Sequence, residues 1–118
     1  MKLLFVHDHP FYKEDDKVYS GGGLPHSIWS NYLINFTELS VYGRNSIHEK
    51  DKKIISSIEN VSFYLTNNYS SVKELILKGA SIKKELQELI EKSDIVLVIL
   101  PSVLGFLAGE QALRMKKN

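Results

Sequence analysis

The sequence contains no cysteine, and only two of its 15 basic residues, Arg44 and Arg114, are arginines. Without cysteine the chain can form neither disulfide bonds nor thiolate metal sites, which is typical of a reducing compartment. Proteins that read nucleic acids usually carry a clustered basic surface rich in arginine. A net charge of +1 with so few arginines therefore argues against a nucleic-acid partner.

Long hydrophobic runs are also lacking. The longest apolar stretch begins at Ile95, is interrupted by Pro101 and Gly105, and falls short of the ~20 residues that a membrane-spanning helix needs. The run at residues 3–6 is followed at once by polar residues and is too short for the core of a signal peptide. We therefore expect a cytoplasmic protein, or one that is peripheral to the inner face of the membrane.

The chain does contain enough apolar material for one folded domain, since 43% of its 118 residues are hydrophobic. Apolar runs predict strands at residues 2–7, 37–42, 61–65 and 95–100. Stripes with helical spacing predict helices at residues 25–36, 72–76, 82–92 and 103–115. Trp29 lies in the first stripe and is expected in the core. This order predicts an α/β fold with a mostly parallel sheet, helices on both faces, and a ligand site at the carboxyl ends of the strands.

Two segments bear on how complete this domain is. Pro10 and the charged run at residues 13–17 predict a loop over residues 8–20. The last strand, at residues 95–100, is apolar throughout, which predicts that both of its faces are covered in the centre of a parallel sheet. Only one more predicted helix follows this strand in the sequence. We therefore expect residues 1–118 to be an incomplete domain that tends to self-associate through an exposed sheet edge.

The three consecutive glycines, Gly21, Gly22 and Gly23, are the most distinctive feature of the sequence. They cannot serve a helix, because each weakens one by about 1 kcal/mol relative to alanine. Directly before a helix, glycine lets backbone N–H groups approach a phosphate, which the positive end of the helix also attracts. The spacing matches neither a Walker loop nor the dinucleotide-binding fingerprint. The segment is therefore either a phosphate-binding loop or a flexible turn.

Polar residues follow the first two predicted strands. His7, Asp8 and His9 come after the first, and alternation puts both imidazoles on one side of the backbone. Two imidazoles without a third ligand make a poor metal site, so this triplet either contacts a substrate hydroxyl or simply caps the strand. Arg44 follows the second strand. It either holds an anion or carboxylate or forms a surface ion pair with a nearby acidic residue, Glu49 or Asp51.

Several motifs recur together in a known order. They are HDH at residues 7–9, SGGGLP at 20–25, WSNYL at 29–33, a strand that ends in Gly43-Arg44, and LPSVLGFLA at 100–108. Together they resemble the N-terminal domain of bacterial glycosyltransferases of family 4. The resemblance covers nearly the whole chain.

The resemblance implies an enzyme of two facing Rossmann-like domains, the GT-B arrangement, in which residues 1–118 form the acceptor side. A C-terminal domain, absent here, would hold the nucleotide-sugar donor. Transfer to a sugar or lipid-linked acceptor would retain the anomeric configuration, need no metal or other cofactor, and serve cell-surface polysaccharide or glycolipid synthesis. Gly21, Gly22 and Gly23 would contact the donor's diphosphate.

On the acceptor side, the candidate contacts are the four polar residues at the predicted strand ends, His7, Asp8, His9 and Arg44. The resemblance places no catalytic residue within these 118 positions, so the fragment alone is expected to be inactive.

The main alternative is a non-catalytic, freestanding module that binds a nucleotide or another anion as a regulator or scaffold. A receiver-type signalling domain fits less well, because the acidic pair Asp15-Asp16 lies within the predicted loop and no aspartate ends the strand at 61–65. A reading frame that continues past Asn118 favours the transferase, and one that stops there favours the module.

Overall fold

The computed structural model describes residues 1–66, 72–99 and 103–115. Its nine main elements, in chain order, are β1 (Lys2–Glu14), β2 (Lys17–Ser20), α1 (His26–Tyr32), β3 (Glu38–Asn45), β4 (Ile54–Ile55), β5 (Val61–Thr66), α2 (Val72–Glu91), β6 (Ile95–Val98) and α3 (Val103–Arg114). A 3-10 turn at Glu49–Asp51 precedes β4. The predicted turn at Pro101-Ser102 lies outside the described residues, so the 100–108 motif is described only from Val103 onward.

The six strands form one mixed sheet around β1. The first half of β1, from Leu3 to Val6, pairs in parallel with β6 on one side and β3 on the other, and β3 pairs in parallel with β5. The second half of β1 pairs antiparallel with β2, which pairs antiparallel with β4. A register shift between Val6 and Pro10 joins the two halves. On one side of β1 the neighbour therefore changes at residues 7–9 from β6 to β2, whereas β3 pairs with both halves.

The predicted Rossmann-like, mostly parallel fold is wrong, because the sheet is mixed. The β1–β2 hairpin occupies the segment that was predicted as a loop. Phe11 and Val18 are buried in it, and Tyr12 lies opposite Tyr19. These β-compatible residues outweigh the charged run between them. Asp15, with a φ of 56°, supplies the left-handed residue of the turn.

The last strand also differs from its prediction. All four residues of β6 are half-buried, and within the described part of the chain β6 pairs with β1 alone. It lies beside one parallel neighbour and not in the centre of the sheet. The uniformly apolar sequence of β6 therefore reflects side chains that are partly buried on both faces of the sheet. It does not require a paired strand on each side of β6.

Alternation along β1 divides the core into two clusters. Leu4 and Val6 pack with buried residues of α2 and α3. Leu3 and Phe5 point to the opposite face and pack with Trp29 of α1. No helix in the described ranges has the length and apolar character that crossing a bilayer would require.

Trp29 holds α1 against the sheet, as predicted for a core residue. Its side chain is fully buried, and its ring meets the Phe5 ring edge-on at a centroid distance of 5.0 Å. Its Nε1–H donates to the Ser56 Oγ atom at 2.9 Å, and that hydroxyl donates to the Leu24 carbonyl at 2.8 Å. This chain of hydrogen bonds fixes the start of α1 relative to the segment after β4.

Candidate functional site

His7, Asp8 and His9 lie inside β1, at the register shift, and not at the end of a strand as predicted. They still follow the carboxyl end of the parallel half of β1. The His7 and His9 rings lie on one face, as alternation predicts, with their centroids 6.0 Å apart. The Phe11 ring packs against His9 at 4.9 Å. The two imidazoles thus form a pair that is held by the sheet.

A cavity of about 370 Å³ opens beside this pair, between β1 and α1. Its polar lining comes from His7, His9 and the backbone at Gly23. The rest of its wall is apolar and is formed by Phe5, Leu24, Ile28, Tyr32 and Ile99. Two predicted site segments, the histidine triplet and the glycines, therefore meet at one cavity.

The glycine segment runs from the end of β2 to α1, and its three positions differ. Gly22 and Gly23 have φ angles of 133° and 86°, and no atom lies within 4 Å of the position that a Cβ would take. Glycine is needed there because other residues rarely adopt such angles. At Gly21, a Cβ would lie 2.8 Å from the Asp51 Oδ1 atom, so that glycine is needed for close packing.

The Ser20 hydroxyl connects the glycine segment to the histidines. The residue is fully buried. Its Oγ atom accepts a hydrogen bond from the Gly22 N–H at 3.1 Å, donates to the Gly22 carbonyl at 3.0 Å, and lies 2.7 Å from the His9 Nε2 atom. The backbone at Gly22 and the His9 ring are therefore held by one side chain.

The surroundings of His9 favour its neutral form. Burial is the main cause that lowers its pKa below the ordinary value of 6.5, and the nearby His7 and Arg44 lower it further. The carboxylates of Asp51 and Asp8 act in the opposite direction without reversing the shift. A neutral imidazole in a partly apolar cavity can both donate and accept a hydrogen bond.

Arg44 lies on β3, opposite Pro10 of β1 and Thr66 of β5. It is half-buried, and its positive charge lowers the pKa of His9. It belongs to the surroundings of the histidine pair but does not line the cavity of about 370 Å³. Its predicted contact with an acceptor stays a prediction.

Two residues of the site were not among the candidates from the sequence. Ser20 is signalled only by its position directly before the glycines, where a hydroxyl commonly bonds to the backbone two residues on. Asp51 was considered only as an ion-pair partner. It lies beside Gly21, and its Oδ2 atom accepts a hydrogen bond from the Ser46 hydroxyl at 2.5 Å. Within the described ranges, no three His, Asp or Glu side chains cluster as a metal site would require.

Comparison with known proteins finds a relative in Staphylococcus aureus. Protein CapJ is 42% identical to this chain over 110 residues, which are 92% of this chain and 28% of CapJ. The chain thus spans little more than a quarter of the length of that relative. No protein family matches the chain. No solved structure matches it either.

Proposed function

We propose that this chain holds the acceptor in the transfer of a sugar from a nucleotide-sugar donor, as the N-terminal part of a retaining glycosyltransferase. The observation that carries the proposal is the shared cavity. His7 and His9, the candidate acceptor contacts, line it together with Gly23, a candidate contact of the donor's diphosphate. A transferase needs acceptor and leaving group at one place, because transfer depends on holding the reactants together.

The cavity suits an acceptor that carries a hydroxyl group. Its volume of about 370 Å³ is within the range of small-molecule sites, and mostly apolar walls with few polar groups are typical of such sites. The neutral His9 can bond to a hydroxyl, and the ring of Tyr32 can pack against the C–H face of a sugar. A sugar or lipid-linked acceptor therefore fits the lining better than a charged ligand does.

The glycine segment suits a diphosphate at part of its length. The Asp51 carboxylate beside Gly21 would repel a phosphate there. The Gly22 N–H already bonds to Ser20, whereas Gly23 lines the cavity. We therefore assign the diphosphate contact to the backbone from Gly23 onward, with Gly22 setting its conformation. Fixed N–H groups at that position would stabilise the negative charge of a leaving nucleoside diphosphate.

The remaining parts of the proposal follow the resemblance to family 4. A C-terminal domain would hold the donor's nucleotide, and the transfer would need no cofactor. The reaction would take place in the cytoplasm or at the inner face of the membrane, in the synthesis of a cell-surface polysaccharide or glycolipid.

Release of nucleoside diphosphate from a panel of nucleotide sugars tests the proposal. The protein assayed is the product of the complete reading frame that contains these 118 residues, supplied with lipid extract from the same cells as a source of acceptor. Gly22→Val should reduce turnover or donor affinity at least tenfold, which corresponds to about 1.4 kcal/mol. A branched side chain at a φ of 133° strains the backbone that leads to Gly23, although no atom lies within 4 Å of the Cβ position.

Gly79→Val is the matched control. Gly79 lies in α2, and a Cβ there meets no atom within 4 Å. The control should keep wild-type kinetics. Wild-type kinetics in a folded Gly22→Val protein would contradict the assignment of the glycine segment. Binding of a nucleotide sugar without any release of diphosphate would favour the non-catalytic binding module.

A further inference from the structure

The two imidazoles at the cavity between β1 and α1 differ in how their nitrogen atoms are bonded. The His9 Nε2 atom lies 2.7 Å from the Ser20 hydroxyl oxygen. The His7 Nδ1 atom is buried and has no hydrogen-bond partner among the described residues. A buried polar atom without a partner is costly, and most such atoms in folded proteins are bonded. This nitrogen has almost no accessible surface, so a ligand in the cavity would meet the ring of His9 instead.

The hydrogen bonds of the Ser20 hydroxyl bear on which nitrogen of His9 carries the proton. The hydroxyl has one hydrogen, which it donates to the Gly22 carbonyl at 3.0 Å. Its oxygen accepts from the Gly22 N–H at 3.1 Å. When the hydroxyl hydrogen points to the Gly22 carbonyl, the remaining contact, at 2.7 Å, has the His9 Nε2 atom as its donor. His9 is then the Nε2–H tautomer, and its Nδ1 atom keeps an unshared lone pair.

The surroundings of His9 hold this arrangement in place. The Phe11 ring packs against the imidazole at a centroid distance of 4.9 Å and limits its rotation. Ser20 is the ring's one hydrogen-bond partner within the described part of the chain. With Nε2 bonded to Ser20, Nδ1 is the ring nitrogen that remains for a molecule in the cavity that His9 lines.

We propose that His9 and Ser20 form a recognition site for a ligand hydroxyl, in which the His9 Nδ1 atom accepts a hydrogen bond from that hydroxyl and Ser20 is the positioning residue. The apolar lining favours a ligand that is an alcohol with an apolar body or a sugar ring that presents its C–H face. The inference rests on the proposed function only where it equates this hydroxyl with that of the acceptor. The tautomer does not depend on sugar transfer.

Nitrogen-15 NMR of the histidine rings in the 118-residue chain reports the tautomer directly. We expect a protonated Nε2 atom and an unprotonated Nδ1 atom for His9, at a pH where the ring is neutral. Ser20→Ala should remove this preference. Ser56→Ala should keep it, because Ser56 is equally buried but bonds to Trp29 and Leu24. The Nδ1–H tautomer in the wild-type chain would overturn the proposal without any variant having to fold. An unchanged tautomer in folded Ser20→Ala would overturn the role of Ser20.

A titration with two small rings tests the hydroxyl specificity. Cyclohexanol should shift the His9 Nδ1 resonance, whereas cyclohexanone should not, because it has a similar ring without a hydroxyl proton. Equal shifts from both compounds, or none from cyclohexanol, would overturn the proposed recognition of a hydroxyl group. Such a result would not bear on the proposed sugar transfer, which the release of nucleoside diphosphate tests. Absence of that release would overturn the proposed function and leave the NMR result standing.

Discussion

Substitution of Gly43 by alanine tests the packing that supports the histidine pair. Gly43 lies on β3, and a Cβ there would come within 2.7 Å of two carbons of the Phe11 ring and 3.2 Å of the His9 carbonyl oxygen. Phe11 has no room to give way, since it is fully buried and its ring contacts both Phe63 and His9. The added methyl group must therefore displace the ring or move the backbone of β1.

The expected loss of stability follows from two opposing effects. Extra carbon in a well-packed core costs about 1–3 kcal/mol. Alanine in a strand regains roughly 0.5–1 kcal/mol of the entropy that glycine loses on folding. Because one of the contacted groups is backbone, the packing cost should dominate. We expect Gly43→Ala to lower the free energy of unfolding by about 1–2 kcal/mol.

Urea denaturation measures this change as a lower midpoint with an unchanged slope. Gly79→Ala is the matched control, because its Cβ meets nothing within 4 Å in the interior of α2. It should stabilise the chain by up to about 1 kcal/mol. Opposite signs for the same chemical change would separate close packing from helix propensity. A Gly43→Ala chain as stable as wild type would refute the close approach of β3 to Phe11.

Two further predictions concern side chains around the cavity. Ser56→Ala should cost about 1–3 kcal/mol in the free energy of unfolding, since the Trp29 Nε1–H loses its partner; an unchanged denaturation midpoint would contradict this. In an NMR titration, the midpoint of His9 should lie below 6.5, and His7→Ala should raise it by removing a neighbouring positive charge. The stability linked to His9 is then complete above pH 6.5 and is lost as the pH falls from 6.5 towards its folded-state pKa, because the unfolded chain takes up the proton first. A midpoint at or above 6.5 would contradict the burial of this ring.

Local patterns predicted the elements that are simple in sequence. β5 was predicted at 61–65 and runs from Val61 to Thr66, because its apolar run has clear ends. The hairpin at Phe11 was missed, because the run of charged residues predicted a loop. The strand pairing there depends on contacts with β2, which the local sequence does not indicate. α2 was predicted as two helices and is one, since the cost of Gly79 in a helix, about 1 kcal/mol, does not stop it.

The candidate site was predictable only where alternation decides it. His7 and His9 share a face because they are two residues apart in one strand. Asp51 lies 30 positions after Gly21 and is brought beside it by the 3-10 turn at Glu49–Asp51 and by the pairing of β4 with β2, which no local pattern marks. Gly21 therefore appeared equivalent to Gly22 and Gly23, whereas in the fold it serves packing against a carboxylate.

Separate measurements of the KM for the acceptor and the KM for the nucleotide-sugar donor test the proposed function most directly. His9→Ala and Arg44→Ala are introduced into the product of the complete reading frame, and the apparent KM is measured for each substrate in turn. His9 lines the cavity, and the positive charge of Arg44, on β3, lowers the pKa of His9. If this part of the chain holds the acceptor, both variants should raise the KM for the acceptor while the KM for the nucleotide sugar stays nearly unchanged. Normal KM values for both substrates in both folded variants would contradict the proposal and leave His9 and Arg44 with a structural role.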